Sequence, residues 1–73
     1  MSIFSERLKV CRKKLNKTQR DVGIDLGMTE GGYQKYEINK REPNMETLHK
    51  IADYFDVSVD YLMGRSNSPM RQP

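Results

Sequence analysis

Apolar residues in this chain recur at helical spacing, but only in short runs, and each run is cut by a capping residue or a glycine. That pattern requires a bundle of small helices. Phe4, Leu8, Cys11 and Leu15 stand at intervals of 4, 3 and 4, which at about 100° per residue gathers them on one arc of a helix. The helices must find their stability in a single shared core, because a chain of 73 residues buries only about 60% of its unfolded surface. No staple assists them. The single cysteine excludes an internal disulfide, and with the single histidine it falls short of a zinc ligand set, so no metal or other cofactor is expected.

Ser2 is the expected N-cap of the first helix and Asn16 its stop. Thr18, with Asp21 three residues later, has the form of a capping box ahead of Val22 and Leu26, and this second helix ends at Gly27. Thr29 caps a third helix with Tyr33, Tyr36 and, at its edge, Glu37 on one side. Glu30, Gly31, Gln34 and Lys35 project on the other. Gly31 and Gly32 weaken this helix, by roughly 1 kcal/mol each relative to alanine in a helix interior and less in a first turn. Two readings stand: close backbone approach to a partner, or a weak helix held from behind. After a polar connector over 39–43, Asn44 caps a fourth helix whose stripe is Met45, Leu48, Ile51, Ala52 and Phe55. Ser58 caps a short fifth helix running through Met63 to a stop at Gly64. Cys11 reads as a small buried residue and His49 as a structural or surface histidine. The domain is expected over residues 1–64, with an aperiodic, disordered tail over 65–73.

Charge is unevenly spread. Residues 1–41 hold ten Lys/Arg against five acids, a balance of +5, whereas residues 42–73 hold three bases and five acids, a balance of −2. Such asymmetry suits one surface that faces a polyanion and another that does not. The longest apolar run, Tyr61-Leu62-Met63, is far below the ~20 residues that span a bilayer, and Glu6 and Arg7 interrupt any signal-peptide core. A cytoplasmic chain with no membrane partner is expected.

Two short capped helices joined at Gly27, the second opening with a polar outward-facing turn, are the sequence form of a helix-turn-helix. Helix N-termini at Thr18 and Thr29 present backbone N–H groups suited to phosphates. The second helix can then lie in a major groove about 12 Å wide, where each base pair shows its own donor and acceptor pattern.

The ordered set Thr18-Gln19, Val22-Gly23, Leu26-Gly27, Met28-Thr29, Tyr33, Lys35-Tyr36-Glu37, Lys40-Arg41-Glu42-Pro43, Leu48, Ile51-Ala52 and Phe55 to Gly64 resembles the phage-repressor (cI/Cro) type of helix-turn-helix domain, often called the XRE family. The resemblance covers residues 4–64. It implies an all-α, compact five-helix, lambda-repressor-like fold and a sequence-specific regulator of transcription, a repressor in the first instance. Position by position, it implies that Gln19 contacts phosphate and buttresses the recognition helix, and that Thr29 caps that helix and touches phosphate. Glu30, Gly31, Gln34 and Lys35 fall at base-reading positions with Gly32 near the DNA backbone. Tyr36 and Glu37 are structural, and Lys40 and Arg41 form a basic loop beside the duplex.

Three departures stand out. Lys17 occupies a position that is usually apolar, leaving Leu15 or the lysine stem to fill the space. Gly23 replaces an alanine, a change expected to be sterically safe. Ile38-Asn39 replaces a common Asn-Gly turn. A homodimer on a two-fold symmetric operator is expected, because one small module reads too few base pairs to discriminate against a genome. Val59, Tyr61 and Met63 are the expected dimer contacts, Leu62 being reserved for the core. The competing class is a protein-interaction module on the same fold, such as an antitoxin or anti-repressor. An enzyme is not supported: no paired carboxylates, no nucleophile with its base and no phosphate loop are visible. Control by concentration or by a protein antagonist is expected over control by a small ligand.

Overall fold

Five short polar side chains start five helices. The computed structural model describes residues 2–71, and these form α1 (Ile3–Lys14), α2 (Gln19–Asp25), α3 (Glu30–Glu37), α4 (Met45–Phe55) and α5 (Val59–Leu62), with no strand among the described residues. Ser2, Thr18, Thr29, Asn44 and Ser58 hold extended backbone ahead of them. Each side chain accepts a hydrogen bond from the backbone N–H three residues on. Thr18 and Asp21 complete a reciprocal capping box. A helix start leaves several N–H groups without partners, so each such cap contributes on the order of 1 kcal/mol.

The exits are as regular. A residue with positive φ follows or ends every helix: Asn16 (54°), Gly27 (74°), Asn39 (60°), Asp56 (55°) and Gly64 (81°). Asn and Asp tolerate this region better than other side chains, so Asn39 performs the reversal after α3 that a glycine would otherwise provide. At Gly27 the turn is tightened by hydrogen bonds from the Gly27 N–H to Ile24 O (2.9 Å) and from the Met28 N–H to Gly23 O (2.7 Å).

Leu8, Val22, Tyr33, Ile51 and Leu62 are fully buried at the centre, with Cys11, Leu26, Tyr36, Leu48, Ala52, Phe55 and Val57 around them. The stripes fail at two of their ends. Leu15, placed in the α1 stripe by its spacing, is the C-cap and stands 47% exposed, and Met45, at the first position of α4, is 68% exposed. Side chains lean toward the helix N-terminus, so Met45 overshoots the core. Lys17 is half-buried, with 39% of its side chain exposed. It lies 5.5 Å from the centre of the Tyr54 ring and pairs with Asp25 at 2.7 Å, and Asp25 also accepts from the Tyr54 hydroxyl at 2.6 Å.

Residues 65–71, expected to be disordered, are placed along the end of the bundle. The Arg7 guanidinium donates to the carbonyls of Tyr61 and Ser66 and to the Asn67 side chain while stacking 4.2 Å over the Tyr61 ring. Further along, the Ser58 N–H donates to Pro69 O at 3.1 Å and Arg71 pairs with Asp53. An aperiodic segment has no face to bury, so these specific polar contacts hold it. Gln72 and Pro73 lie outside the described residues.

Gly23 and Gly31 differ sharply in their surroundings. A Cβ on Gly23 would sit 2.9 Å from the backbone oxygen of Thr29, whereas a Cβ on Gly31 would meet nothing within 4 Å. The glycine at position 23 is thus more than sterically safe: α2 approaches the start of α3 so closely that an alanine there would have to push the Thr29 backbone aside. Overpacking against backbone costs about 1–3 kcal/mol, more than the roughly 1 kcal/mol that alanine returns in helix propensity. We expect Gly23→Ala to lower unfolding free energy by about 1 kcal/mol or more, and Gly31→Ala to raise it by up to about 1 kcal/mol. Urea unfolding of the two variants checks this, and a gain in stability for both would contradict the close packing of α2 on α3.

Candidate nucleic-acid interface

α3 is held from behind by a buried ion pair. Glu37, in its last turn, has no exposed surface. Its carboxylate accepts two hydrogen bonds from Arg12 of α1, at 2.7 Å from Nε and 3.1 Å from Nη2, and a third from Gln19 Nε2 of α2 at 3.1 Å. Arg12 also donates through Nη1 to Lys17 O at 3.0 Å, in the loop between α1 and α2. One carboxylate thus fixes three helices. Nearby, the buried Ser5 hydroxyl donates to Tyr36 O at 2.7 Å and ties the end of α3 to the start of α1.

Burial works to raise the pKa of Glu37, but the hydrogen bonds from Arg12 and Gln19, the proximity of Tyr33 and the Arg12 charge outweigh it and hold the carboxyl below its usual range. The Tyr33 hydroxyl is buried without a hydrogen-bond partner, and its phenol is pushed up, first by burial and then by the adjacent Glu37. Burial likewise pushes the Cys11 thiol up, which disfavours the thiolate.

With Tyr33, Tyr36 and Glu37 turned inward, α3 presents Glu30, Gly31, Gln34 and Lys35 to solvent. Among the described residues the side chains of Glu30, Gln34 and Lys35 make no hydrogen bond or ion pair within the chain, so their polar groups remain available. Thr29 heads this face, its hydroxyl committed to the Gly32 N–H at 3.0 Å. Gly32 is half-buried, and a Cβ there would lie 3.1 Å from that same hydroxyl. Lys40 and Arg41 follow in the exposed loop after α3, Arg41 lying 5.7 Å from the centre of the Tyr36 ring. Glu30, Gly31, Gln34, Lys35, Lys40 and Arg41 therefore form the open side of one helix and its exit loop. Gln19 faces Glu37 instead of standing free, so its amide N–H₂ supports α3 from within.

Arg12 escaped sequence reading altogether. It counted only as one more base, and its partner lies 25 residues away, beyond any local pattern. Its position next to Cys11, on the border of the α1 stripe, was the only available sign. His49 bonds through Nδ1 to Met45 O one turn back at 2.8 Å and is exposed. No group of three metal-ligating side chains occurs among the described residues, and none of their helices is long and apolar enough to cross a membrane.

A capped seven-residue helix, a glycine turn and a second capped helix whose outer face is polar and unpaired make α2 and α3 a helix-turn-helix. The family model described as Helix-turn-helix matches residues 8–62, and the chain belongs to that family. It is 45% identical over 71 residues to the uncharacterized HTH-type transcriptional regulator YqaE of Bacillus subtilis, covering 96% of this chain and 61% of that protein. It is also 45% identical over 62 residues to the cryptic phage CTXphi transcriptional repressor RstR of Vibrio cholerae, covering 85% of this chain and 55% of the repressor. The HTH-type transcriptional regulator ImmR of Bacillus subtilis matches at 35% identity over 62 residues, 85% of this chain and 49% of ImmR. The chain thus spans roughly half to three fifths of the length of these relatives.

The buried pair makes a signed expectation for pH. A carboxyl whose folded pKa is held below its unfolded pKa contributes stability above that unfolded value and loses it as pH falls through the folded one. Without Arg12 the same buried carboxyl loses its largest counter-charge and favours protonation, so its contribution falls as pH rises instead. We expect Arg12→Ala to cost about 3–5 kcal/mol near pH 7, the scale for stranding one partner of a buried pair. The cost should shrink toward about pH 3, where an ordinary glutamate is protonated. Unfolding across that range checks it, and a cost independent of pH would remove Glu37 as the cause.

Proposed function

We propose that this chain is the DNA-binding part of a transcriptional repressor, which lays α3 in the major groove of a two-fold symmetric operator and binds it as a homodimer. The carrying observation is the free polar face of Glu30, Gln34 and Lys35 on a helix clamped from behind by Arg12, Glu37 and Gln19. Lys35 can donate to guanine O6 and N7, Gln34 to a base or a phosphate, and Glu30 can accept from a cytosine amino group. Open space at Gly31 lets the helix backbone come close to the duplex. Lys40 and Arg41 supply phosphate contacts at the exit loop, and the Thr29 end of α3 offers its helix dipole to another. The repressor sense rests on relatives such as RstR, whose name states it. Such a protein works in the cytoplasm, without a cofactor and without catalysing a reaction.

Selection of bound duplexes from a random-sequence pool tests the reading directly. One symmetric motif should be enriched, and a pool indistinguishable from the input would overturn it. On that motif, Lys35→Ala should relax preference at one position per half-site at a cost of about 1–3 kcal/mol. A loss uniform over all sequences would reassign Lys35 to the DNA backbone.

Lys40→Ala with Arg41→Ala should weaken binding to all duplexes and flatten the plot of log affinity against log salt by about 0.9 for each phosphate contact removed. Unchanged affinity and slope would mean that the exit loop does not touch DNA.

A further inference from the structure

The Tyr33 side chain has no exposed surface, and among the described residues its hydroxyl makes no hydrogen bond. Folded chains pair the large majority of their buried polar atoms, and a phenylalanine would fill the same space without stranding a hydroxyl. Tyr33 stands one turn before Glu37 on α3, the spacing at which side chains of a helix meet, and both are buried. Each carboxylate oxygen has two lone pairs. Oε1 of Glu37 takes one bond from Arg12 and one from Gln19, so it has no place for Tyr33 until one of them leaves. The two donors are unequal. The Arg12 bond joins opposite charges and is the stronger kind, whereas the Gln19 bond comes from a neutral amide on a half-buried residue at the first position of α2. That amide meets the last turn of α3, where the exit loop carrying Lys40 and Arg41 begins.

We infer that Tyr33 is a positioning residue for DNA binding: when a phosphate draws the Gln19 amide outward, the Tyr33 hydroxyl turns to Glu37 and takes over as its donor. The exchange conserves the pairing of the buried carboxylate. One hydrogen bond to Glu37 is released, one is formed, and no proton changes owner. Burial and the neighbouring Glu37 both push the phenol above its ordinary value, so it remains an O–H donor at any pH the fold survives. Gln19 can then serve the duplex without unfastening α3 from α1, because the Arg12 bonds stay and the lost neutral donor is replaced from inside the core. The inference rests on the proposed DNA binding, but the exchange of donors can be measured without DNA.

A double-mutant cycle on the full chain reads the exchange through urea unfolding. Gln19→Met keeps the side-chain length and removes the amide, Gln19→Ala serves as a second background, and Tyr33→Phe removes the hydroxyl alone. In the parent, Tyr33→Phe should leave the unfolding constant unchanged or lower it, since the hydroxyl is idle there. In either Gln19 variant, where the hydroxyl has taken over, the same substitution should raise the unfolding constant about tenfold, the scale of one hydrogen bond to a charged group. A residue that only packs would give the same change in every background. On a duplex selected from random-sequence DNA, Tyr33→Phe should weaken binding about fivefold in the parent and leave it unchanged in the Gln19 variants. The ¹³Cζ resonance of Tyr33 should also shift when the parent binds that duplex. Equal effects of Tyr33→Phe in all backgrounds, or a resonance that DNA does not move, would overturn the inference, the second because Gln19 then keeps Glu37 in the complex. If the parent bound no selected duplex, the DNA reading would fall and the binding role of Tyr33 with it, while the cycle would still decide whether Tyr33 replaces Gln19 at Glu37.

Discussion

Glu37 carries its charge where no water reaches it, and the three N-terminal helices are arranged around that charge. Withdrawing a carboxylate and a guanidinium from solvent costs several kcal/mol per ion, recovered only when geometry is good and the remaining hydrogen-bonding positions are filled. Here the donors come from different helices: Arg12 from α1 and Gln19 from α2, with the acceptor on α3. An apolar core tolerates some sliding of one helix over another. A buried carboxylate does not, because a shift that lengthens any of these bonds leaves a charge without its donor.

This clamp accounts for the poor intrinsic helix propensity of α3. With its last turn fixed by Glu37 and by the Ser5 bond to Tyr36 O, α3 does not need strong helix formers in its first turn. The two readings given for Gly31 and Gly32 can then be weighed by their surroundings. A Cβ on Gly32 would lie 3.1 Å from the Thr29 hydroxyl, while Gly31 faces open space. Packing gives no reason for glycine at 31. A helix held from behind tolerates it there, and in the proposed binding mode close approach by the duplex would give the missing side chain a use.

Everything decided within four residues was legible in advance. The five caps, the Thr18 and Asp21 box, the turn at Gly27 and the inward and outward sides of α3 follow from side-chain chemistry and helical spacing, and the structure has them where the sequence put them. What was lost depends on distant partners or on the ends of elements. Leu15 and Met45 obey the spacing but sit where the helix has stopped or just begun. Arg12 and Glu37 are 25 positions apart, and Arg7 meets Ser66 across 59. No window along the chain contains both halves of such a contact. Lys17 lies between the two cases: its departure from an apolar position was visible, but its answer, Asp25 together with Tyr54, needed the fold.

Charge shows the same limit in a form that bears on binding. The N-terminal excess of bases over acids suggested a polyanion-facing surface, yet pairing leaves that sum unchanged while deciding where it lies. Arg12 is spent beneath α3, Lys17 is drawn against Asp25 and Tyr54, and Arg7 is aimed at the end of α5 and the segment after it. The bases that stay with the free face of α3 and its exit loop are Lys35, Lys40 and Arg41. Few phosphate contacts give only a shallow, sequence-independent attraction. In the proposed binding mode, discrimination would then come from directional bonds to base edges, which are worth having only if the helix that carries them is held still. On that reading the buried carboxylate behind α3 and the sparse charge in front of it are two parts of one arrangement: rigidity supplied from inside would let a few polar groups outside suffice.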